Sequence, residues 1–274
     1  MTRVLVSGIC GRMGSLAAEA VAAAADLALV GGVESPAHAC AGGSVRVPRG
    51  GDGIDVPVRG ALGEFDAASY DVIVDFSTPA QSAACAGVAC AAGKGLVVGT
   101  TGLSGPERAA VEAAAGTCAV VLAPNASVGA NVLFGLVEAL AAALPPGFDV
   151  EIVEAHHRAK RDAPSGTALR LGEIVCRGRG LEPGEALRFG RSGVAAARGE
   201  GEVGIHSLRG GSIVGRHSVR FVSELEELTV RHEAFTRLAF AGGAAAAARF
   251  VASRGPGLYD MLDVLGLRRL RGSS

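Results

Sequence analysis

The chain has 274 residues, 49% hydrophobic and 19% charged, which leaves room for one large domain or two modest ones and lies far from disordered compositions. A net charge of −1 gives no electrostatic footprint for nucleic acid or an anionic membrane. The six cysteines (Cys10, Cys40, Cys85, Cys90, Cys118 and Cys176) are scattered, with no C-x-x-C pair and no zinc-like grouping, so reduced thiols, no metal and a cytoplasmic location are expected.

The apolar run after Arg3 enters glycines too soon for a signal segment, and Ala239 to Ala248 is broken by glycine and stopped by Arg249, so no membrane span is expected. In chain order, short β-branched runs predict strands over Val4 to Ser7, Leu27 to Val33, Val72 to Phe76, Gly95 to Gly99 and Ala119 to Ala123. Alanine-rich stretches between them predict helices over Gly14 to Ala25, Gln81 to Ala92 and Pro106 to Gly116. This alternation argues for an α/β fold with a parallel sheet covered on both faces.

The pattern changes after Ala123. A helix is expected over Asn131 to Leu144, stopped by Pro145-Pro146-Gly147, then a strand over Phe148 to Glu154 and a helix over Ala168 to Cys176. Alternation over Glu202 to Arg231 predicts an antiparallel set of strands, and Phe235 to Arg254 a last helix. The expected division is a first domain over 1–126, completed by 237–274, and an α+β second domain over 127–236.

The first strand runs into Gly8-Ile9-Cys10-Gly11-Arg12-Met13-Gly14 and then a helix. Such a turn brings backbone N–H groups and the positive helix end to a pyrophosphate, which is the chemistry of a Rossmann-type dinucleotide site. Cys10 stands where the second glycine of G-x-G-x-x-G would be, and a plain tight βα turn has the same glycines. Glu34, at the end of the second strand, is spaced to accept hydrogen bonds from an adenosine ribose. Ser35 follows it rather than a cation, a lean towards NADH that Arg12 or another arginine could reverse. Gly99-Thr100-Thr101-Gly102 and Ala123-Pro124-Asn125-Ala126-Ser127 end two further strands, where an open α/β sheet binds ligand or simply turns.

The most polar stretch is Glu154-Ala155-His156-His157-Arg158-Ala159-Lys160-Arg161-Asp162-Ala163-Pro164-Ser165-Gly166-Thr167. A histidine can deliver a proton near neutral pH, Lys160 can bind an anion or act as a second donor, and the Ser165-Gly166-Thr167 helix start suits a carboxylate. A solvated loop before a helix capped by Ser165 or Thr167 would show the same residues. The adjacent His156 and His157 point to opposite faces of a strand, which speaks against a shared metal.

These motifs, with Asn125 to Asn131, Arg209-Gly210-Gly211-Ser212-Ile213-Val214-Gly215, His217 and Gly257-Leu258-Tyr259-Asp260-Met261, closely resemble the dihydrodipicolinate reductase family over nearly the whole chain. The resemblance implies hydride transfer from NADH or NADPH to a small cyclic dicarboxylate, giving tetrahydrodipicolinate for diaminopimelate and lysine synthesis. It also implies that His156 is the general acid and Lys160 a second proton donor, with His157, Ser165, Gly166 and Thr167 binding substrate carboxylates. Gly8, Ile9, Cys10, Gly11, Arg12, Met13, Glu34, Gly99, Thr100, Thr101, Ala123, Pro124, Asn125 and Ala126 would hold the cofactor. A homotetramer assembled through the substrate domain's sheet is implied as well. Ala159, Arg216, Gly242 and Phe250 depart from the family's usual residues without removing a proposed catalytic group. Two rivals stay open at this point: an amino-acid dehydrogenase on the same scaffold, and a non-catalytic dinucleotide sensor.

Overall fold

Apolar runs with no polar alternate position suit strands covered on both faces, and the first half of the chain forms them. The computed structural model describes residues 1–194 and 197–268. It places β1 at Thr2–Ser7, α1 at Arg12–Ala23, β2 at Leu27–Val33, β3 at Ser44–Arg49, β4 at Asp52–Arg59 and β5 at Val72–Asp75. Then come α2 (Pro79–Ala92), β6 (Gly95–Val98), α3 (Gly105–Ala114), β7 (Ala119–Leu122), α4 (Val128–Ala143), β8 (Asp149–His156) and α5 (Gly166–Arg179). The chain continues through α6 (Pro183–Ala186), β9 (Leu187–Phe189), β10 (Val203–Arg209), β11 (Gly215–Val222), β12 (Glu227–Ala234), α7 (Leu238–Ala252), β13 (Gly257–Tyr259) and α8 (Met261–Val264). Two units result, Met1–Val128 with Arg237–Leu265, and Gly129–Thr236.

The first unit is built on an eight-stranded sheet in the order β13-β7-β6-β5-β1-β2-β4-β3. All neighbours are parallel except the β3–β4 pair. β1 lies between β2 and β5, so the direction of winding reverses at its carboxyl end, where open α/β sheets bind ligands. The expected elements left the stretch between Val33 and Val72 without strands, yet it holds the β3–β4 hairpin, turned at Gly50 with φ +62°. Prolines and charges mask its alternation, and at the sheet edge Pro48 is tolerated. Alanines carry the packing of α7 onto α1: Ala17, Ala18 and Val21 share one apolar cluster with Ala244, Ala248 and Val251.

The second unit holds a five-stranded sheet in the order β12-β11-β8-β10-β9. The expected antiparallel set holds for β11 and β12 but not for β10, which runs parallel to both β8 and β9. The reason is the segment Gly210–Val214, which carries the chain across the end of β8 from one side to the other. Gly210 N–H donates to the His156 carbonyl at 3.0 Å, and Arg158 N–H to the Gly211 carbonyl at 3.2 Å. One sheet face is packed by α4 and α5 through Leu133, Phe134, Leu171 and Val175 over Val150, Ile152, Val219 and Phe221.

Candidate active site

Each residue expected to hold a dinucleotide stands just past the carboxyl end of a parallel strand of the first unit. Gly8 and Ile9 donate backbone N–H bonds to the Val33 carbonyl at 2.8 and 3.3 Å, which pins the turn between β1 and β2. Gly8 has φ +74°, and a Cβ at Gly14 would lie 1.9 Å from the Gly8 carbonyl oxygen. No side chain is tolerated there without moving backbone. α1 starts from Gly11 with no side-chain cap and no acidic residue in its first turn, whereas α2 is capped by Thr78 and α5 by Ser165. Its first N–H groups and positive dipole end therefore suit an anionic pyrophosphate. The Glu34 carboxylate accepts the Cys10 N–H at 3.0 Å and the Ser35 N–H at 3.0 Å, so it is held at the turn. The backbone of this turn and the Glu34 carboxylate thus fit a dinucleotide.

The remaining residues divide by burial. Ile9, Ala123 and Ala126 are core side chains, leaving their backbone to meet a ligand, while Gly11, Arg12, Thr101 and Pro124 are exposed and Met13 and Asn125 half-buried. The Thr100 hydroxyl is turned inward: it donates to the buried Asp75 carboxylate at 2.7 Å and accepts the Ser77 N–H at 3.0 Å. Gly99 accommodates the Phe76 ring, whose nearest carbon would be 2.1 Å from an added Cβ. The reading of the cysteines as scattered needs correction, because Cys10, His38 and Cys40 converge beside the glycine turn, their ligating atoms all within 4.8 Å of one another.

In the second unit, sheet register assembles the polar cluster. β8 brings Glu154 and His156 to the same face two residues apart, and β10 sets Ser207 and Arg209 beside them. β11 sets His217 opposite Glu154, and β12 sets His232 opposite His217. Glu154 is fully buried. Its carboxylate accepts from His156 Nδ1 at 2.5 Å, from both Arg209 guanidinium nitrogens at 2.9 and 2.8 Å, and from the Ser165 N–H at 3.1 Å. Burial alone would raise its pKa, but the hydrogen bonds of Arg209, His156 and Ser207 prevail and hold it down at about 2. An ionised Glu154 fixes the His156 tautomer with hydrogen on Nδ1 and leaves Nε2 for chemistry. A Cβ at residue 215 would lie 3.2 Å from that Nε2, so Gly215 keeps the nitrogen uncrowded.

Burial pushes the His156 pKa below its ordinary value, against the opposing pull of Glu154. Burial and the neighbouring His156 push His217 further, to about 3. The Ser165 hydroxyl lies 3.1 Å from His217 Nε2 and also accepts the Ala168 N–H, so it is occupied as helix cap and histidine support. His217 Nδ1 is buried with no hydrogen-bond partner among the described residues. His157 is half-buried and follows the end of β8 directly, opening the turn to Lys160. Lys160 pairs with Asp162 at 2.9 Å, and Asp162 is held below its ordinary pKa by that contact. Gly166 and Thr167 open α5 directly after the Ser165 cap.

Sequence reading left Glu154, Arg209 and His217 without roles. The signal for Glu154 was a carboxylate at an inward position of an apolar strand, a placement that demands a partner. Arg209 and His217 gave no such local signal, because they reach Glu154 only through strand pairing.

Comparison with known proteins places the chain beside one family over nearly its whole length. Residues 2–126 match the family model described as dihydrodipicolinate reductase, N-terminus, and residues 129–265 the one described as dihydrodipicolinate reductase, C-terminus. The 4-hydroxy-tetrahydrodipicolinate reductase of Anaeromyxobacter sp. (strain Fw109-5) is 45% identical over 273 residues, covering 99% of this chain and 100% of that protein. That of Rubrobacter xylanophilus is 47% identical over 265 residues, 97% of this chain and 98% of the other. Among solved structures, dipicolinate-bound dihydrodipicolinate reductase from Paenisporosarcina sp. TG-14 shares the fold, with a TM-score of 0.75 at 24% identity, covering 96% of this chain and 98% of that one.

Proposed function

The chain belongs to the dihydrodipicolinate reductase family, and from that premise we propose that His156, oriented by Glu154, is the proton donor of its reaction. The reaction is reduction of 4-hydroxy-tetrahydrodipicolinate to tetrahydrodipicolinate with NADH or NADPH, a step of diaminopimelate and lysine synthesis. The observation that carries the assignment is the buried carboxylate clamped by Arg209 that bonds His156 Nδ1 and leaves Nε2 open.

The bound nicotinamide supplies the hydride. The Gly8–Met13 backbone and the Glu34 carboxylate would hold the dinucleotide, with the turns at Gly99–Thr101 and Ala123–Ala126 supporting it. His157, Lys160 and the start of α5 at Gly166 and Thr167 would take the substrate's carboxylates through cations and backbone N–H groups, which need no reorganisation. Ser165 is better read as a positioning residue, since its hydroxyl is engaged by Ala168 and His217.

Loss of the 4-hydroxyl as water would give the conjugated dihydro form; a hydride delivered to that form would leave a carbanion-like carbon that takes a proton, and His156 Nε2 donates it. In the free protein burial favours neutral His156. A bound dianion favours the imidazolium, so binding the substrate charges the acid that will serve it. Lys160 is the second donor or an anion clamp; its backbone N–H bond to the His157 carbonyl at 3.1 Å keeps the two residues together, while its ammonium pairs with Asp162.

The test is the rate of NADH or NADPH oxidation with 4-hydroxy-tetrahydrodipicolinate against pH, for the native chain and His156→Ala. The basic limb of the native profile should vanish in the variant; an unchanged profile removes His156 from the mechanism. The finer expectations also stand as proposals. One face of the second sheet presents Leu208, Arg216, Arg220 and Arg231 to solvent, which supports a homotetramer assembled through it, to be read by light scattering. No helix among the described residues is long and apolar enough to cross a membrane, and a cytoplasmic location is the reading that fits six free cysteines, to be checked by cell fractionation.

A further inference from the structure

Cys10, His38 and Cys40 form a cluster that the reduction does not use. Cys10 lies in the glycine turn, at the position where the dinucleotide fingerprint has its second glycine, and the other two lie in the loop after Glu34. The loop is held in place: His38 N–H donates to the Ser35 carbonyl at 2.8 Å, Ala41 N–H to the His38 carbonyl at 3.0 Å, and Gly42 N–H to the Val58 carbonyl at 3.0 Å. His38 Nδ1 lies 3.0 Å from Cys40 Sγ and accepts the Cys40 N–H at 3.3 Å. The two thiols and the imidazole therefore converge on one point from two separate chain segments.

We propose that Cys10, His38 and Cys40 bind a thiophilic divalent cation such as zinc, and that its occupancy opposes dinucleotide binding. A tetrahedral ion bonded at roughly 2.0–2.3 Å spaces its ligand atoms roughly 3.5 Å apart. The three ligating atoms already lie within 4.8 Å of one another, so side-chain rotation suffices to close the set. Two thiolates neutralise the ion, and the imidazole completes a donor set that selects zinc over magnesium or calcium. Glu34, whose carboxylate accepts the Cys10 N–H, lies outside the converging set and would have to turn toward the ion to serve as a fourth ligand.

The opposition to dinucleotide rests on the proposed role of Glu34 and the glycine turn. Drawn onto the ion, Glu34 is lost to the ribose, and Cys10 is tethered where the backbone has to meet the pyrophosphate. Such coupling is reciprocal: dinucleotide weakens metal binding by the same factor.

The experiment titrates cobalt into the reduced full-length chain without dinucleotide, with zinc added in competition. The expected result is one cobalt per chain with a thiolate-to-metal charge-transfer band, bleached by zinc. Cys40→Ser and His38→Ala, both in the surface loop, should each weaken uptake by about tenfold or more while circular dichroism is unchanged. Absence of the band, or the same band and affinity in both variants, overturns the site. A second titration measures NADH binding by fluorescence with and without saturating zinc, and a several-fold weaker Kd is expected. Unchanged NADH affinity in the zinc-loaded chain overturns the opposition and leaves the site standing. Loss of NADH binding in the metal-free chain would count against the dinucleotide reading instead, so the two failures are distinguishable.

Discussion

The two halves of the chemistry are built from different materials. The glycine turn of the first unit is made of backbone: Gly14 packs against the Gly8 carbonyl and Gly8 against the Phe76 carbonyl so closely that neither admits a side chain, and the helix end behind them supplies the field. The cluster of the second unit is made of buried side chains, Glu154, Arg209, His156 and His217, brought together from three strands. A site made of backbone tolerates no bulk but carries no titrating group. A site made of buried charges tunes proton chemistry, yet each member depends on its partners staying ionised or neutral.

That contrast can be broken most sharply at His156. His156→Ala should lower kcat by about 10²–10⁴-fold while NADH affinity, measured by fluorescence titration, stays within a factor of two or so, since the dinucleotide residues lie on the other unit. Coupled loss of both would mean that the halves are not separable. Arg209→Met comes next, because it leaves the buried Glu154 carboxylate without its guanidinium. Removing one partner of such a pair costs about 3–5 kcal/mol, readable as a lowered midpoint in urea, with the basic limb of the rate profile displaced.

Gly14→Ala probes the backbone site. The added Cβ would sit 1.9 Å from the Gly8 carbonyl oxygen, and a loss of about 1–3 kcal/mol with weakened NADH binding is expected. Normal stability and affinity would show that the turn relaxes more freely than its geometry allows.

The last test is a pH dependence of stability. His217 has a folded pKa of about 3 against an ordinary 6.5. Between those values the unfolded chain holds a proton that the folded chain lacks, so stability rises with pH across that window and is lost as pH falls through it. His217→Gln should flatten the acid side of the unfolding midpoint plotted against pH, by an amount on the order of a kcal/mol or more. A curve identical to the native one would assign the acid sensitivity to other groups.

Much of this was legible in the sequence where the physics is local. The strand Leu27–Val33 and the end of α2 at Ala92 fall where the apolar and alanine-rich runs put them, because covered strands and packed helices leave their signatures in local composition. His156, Lys160 and the cap at Ser165 could be singled out for the same reason, being adjacent in one polar stretch. The β3–β4 hairpin was missed because an edge position admits the proline and charge that usually argue against a strand.

Tertiary structure decided what depends on strands meeting. Nothing within the sequence around Arg209 or His217 tells that both face Glu154; the crossing of Gly210–Val214 over the end of β8 and the register of β11 settle it. The convergence of Cys10 with His38 and Cys40 likewise follows from β1 and β2 ending side by side, not from any spacing of cysteines. The sequence by itself determined the backbone-made turn, since glycine spacing is a local steric requirement. The electrostatics of the proton-donating cluster were fixed only by the fold, because the energy of a buried charge depends on which distant residues come within hydrogen-bonding reach.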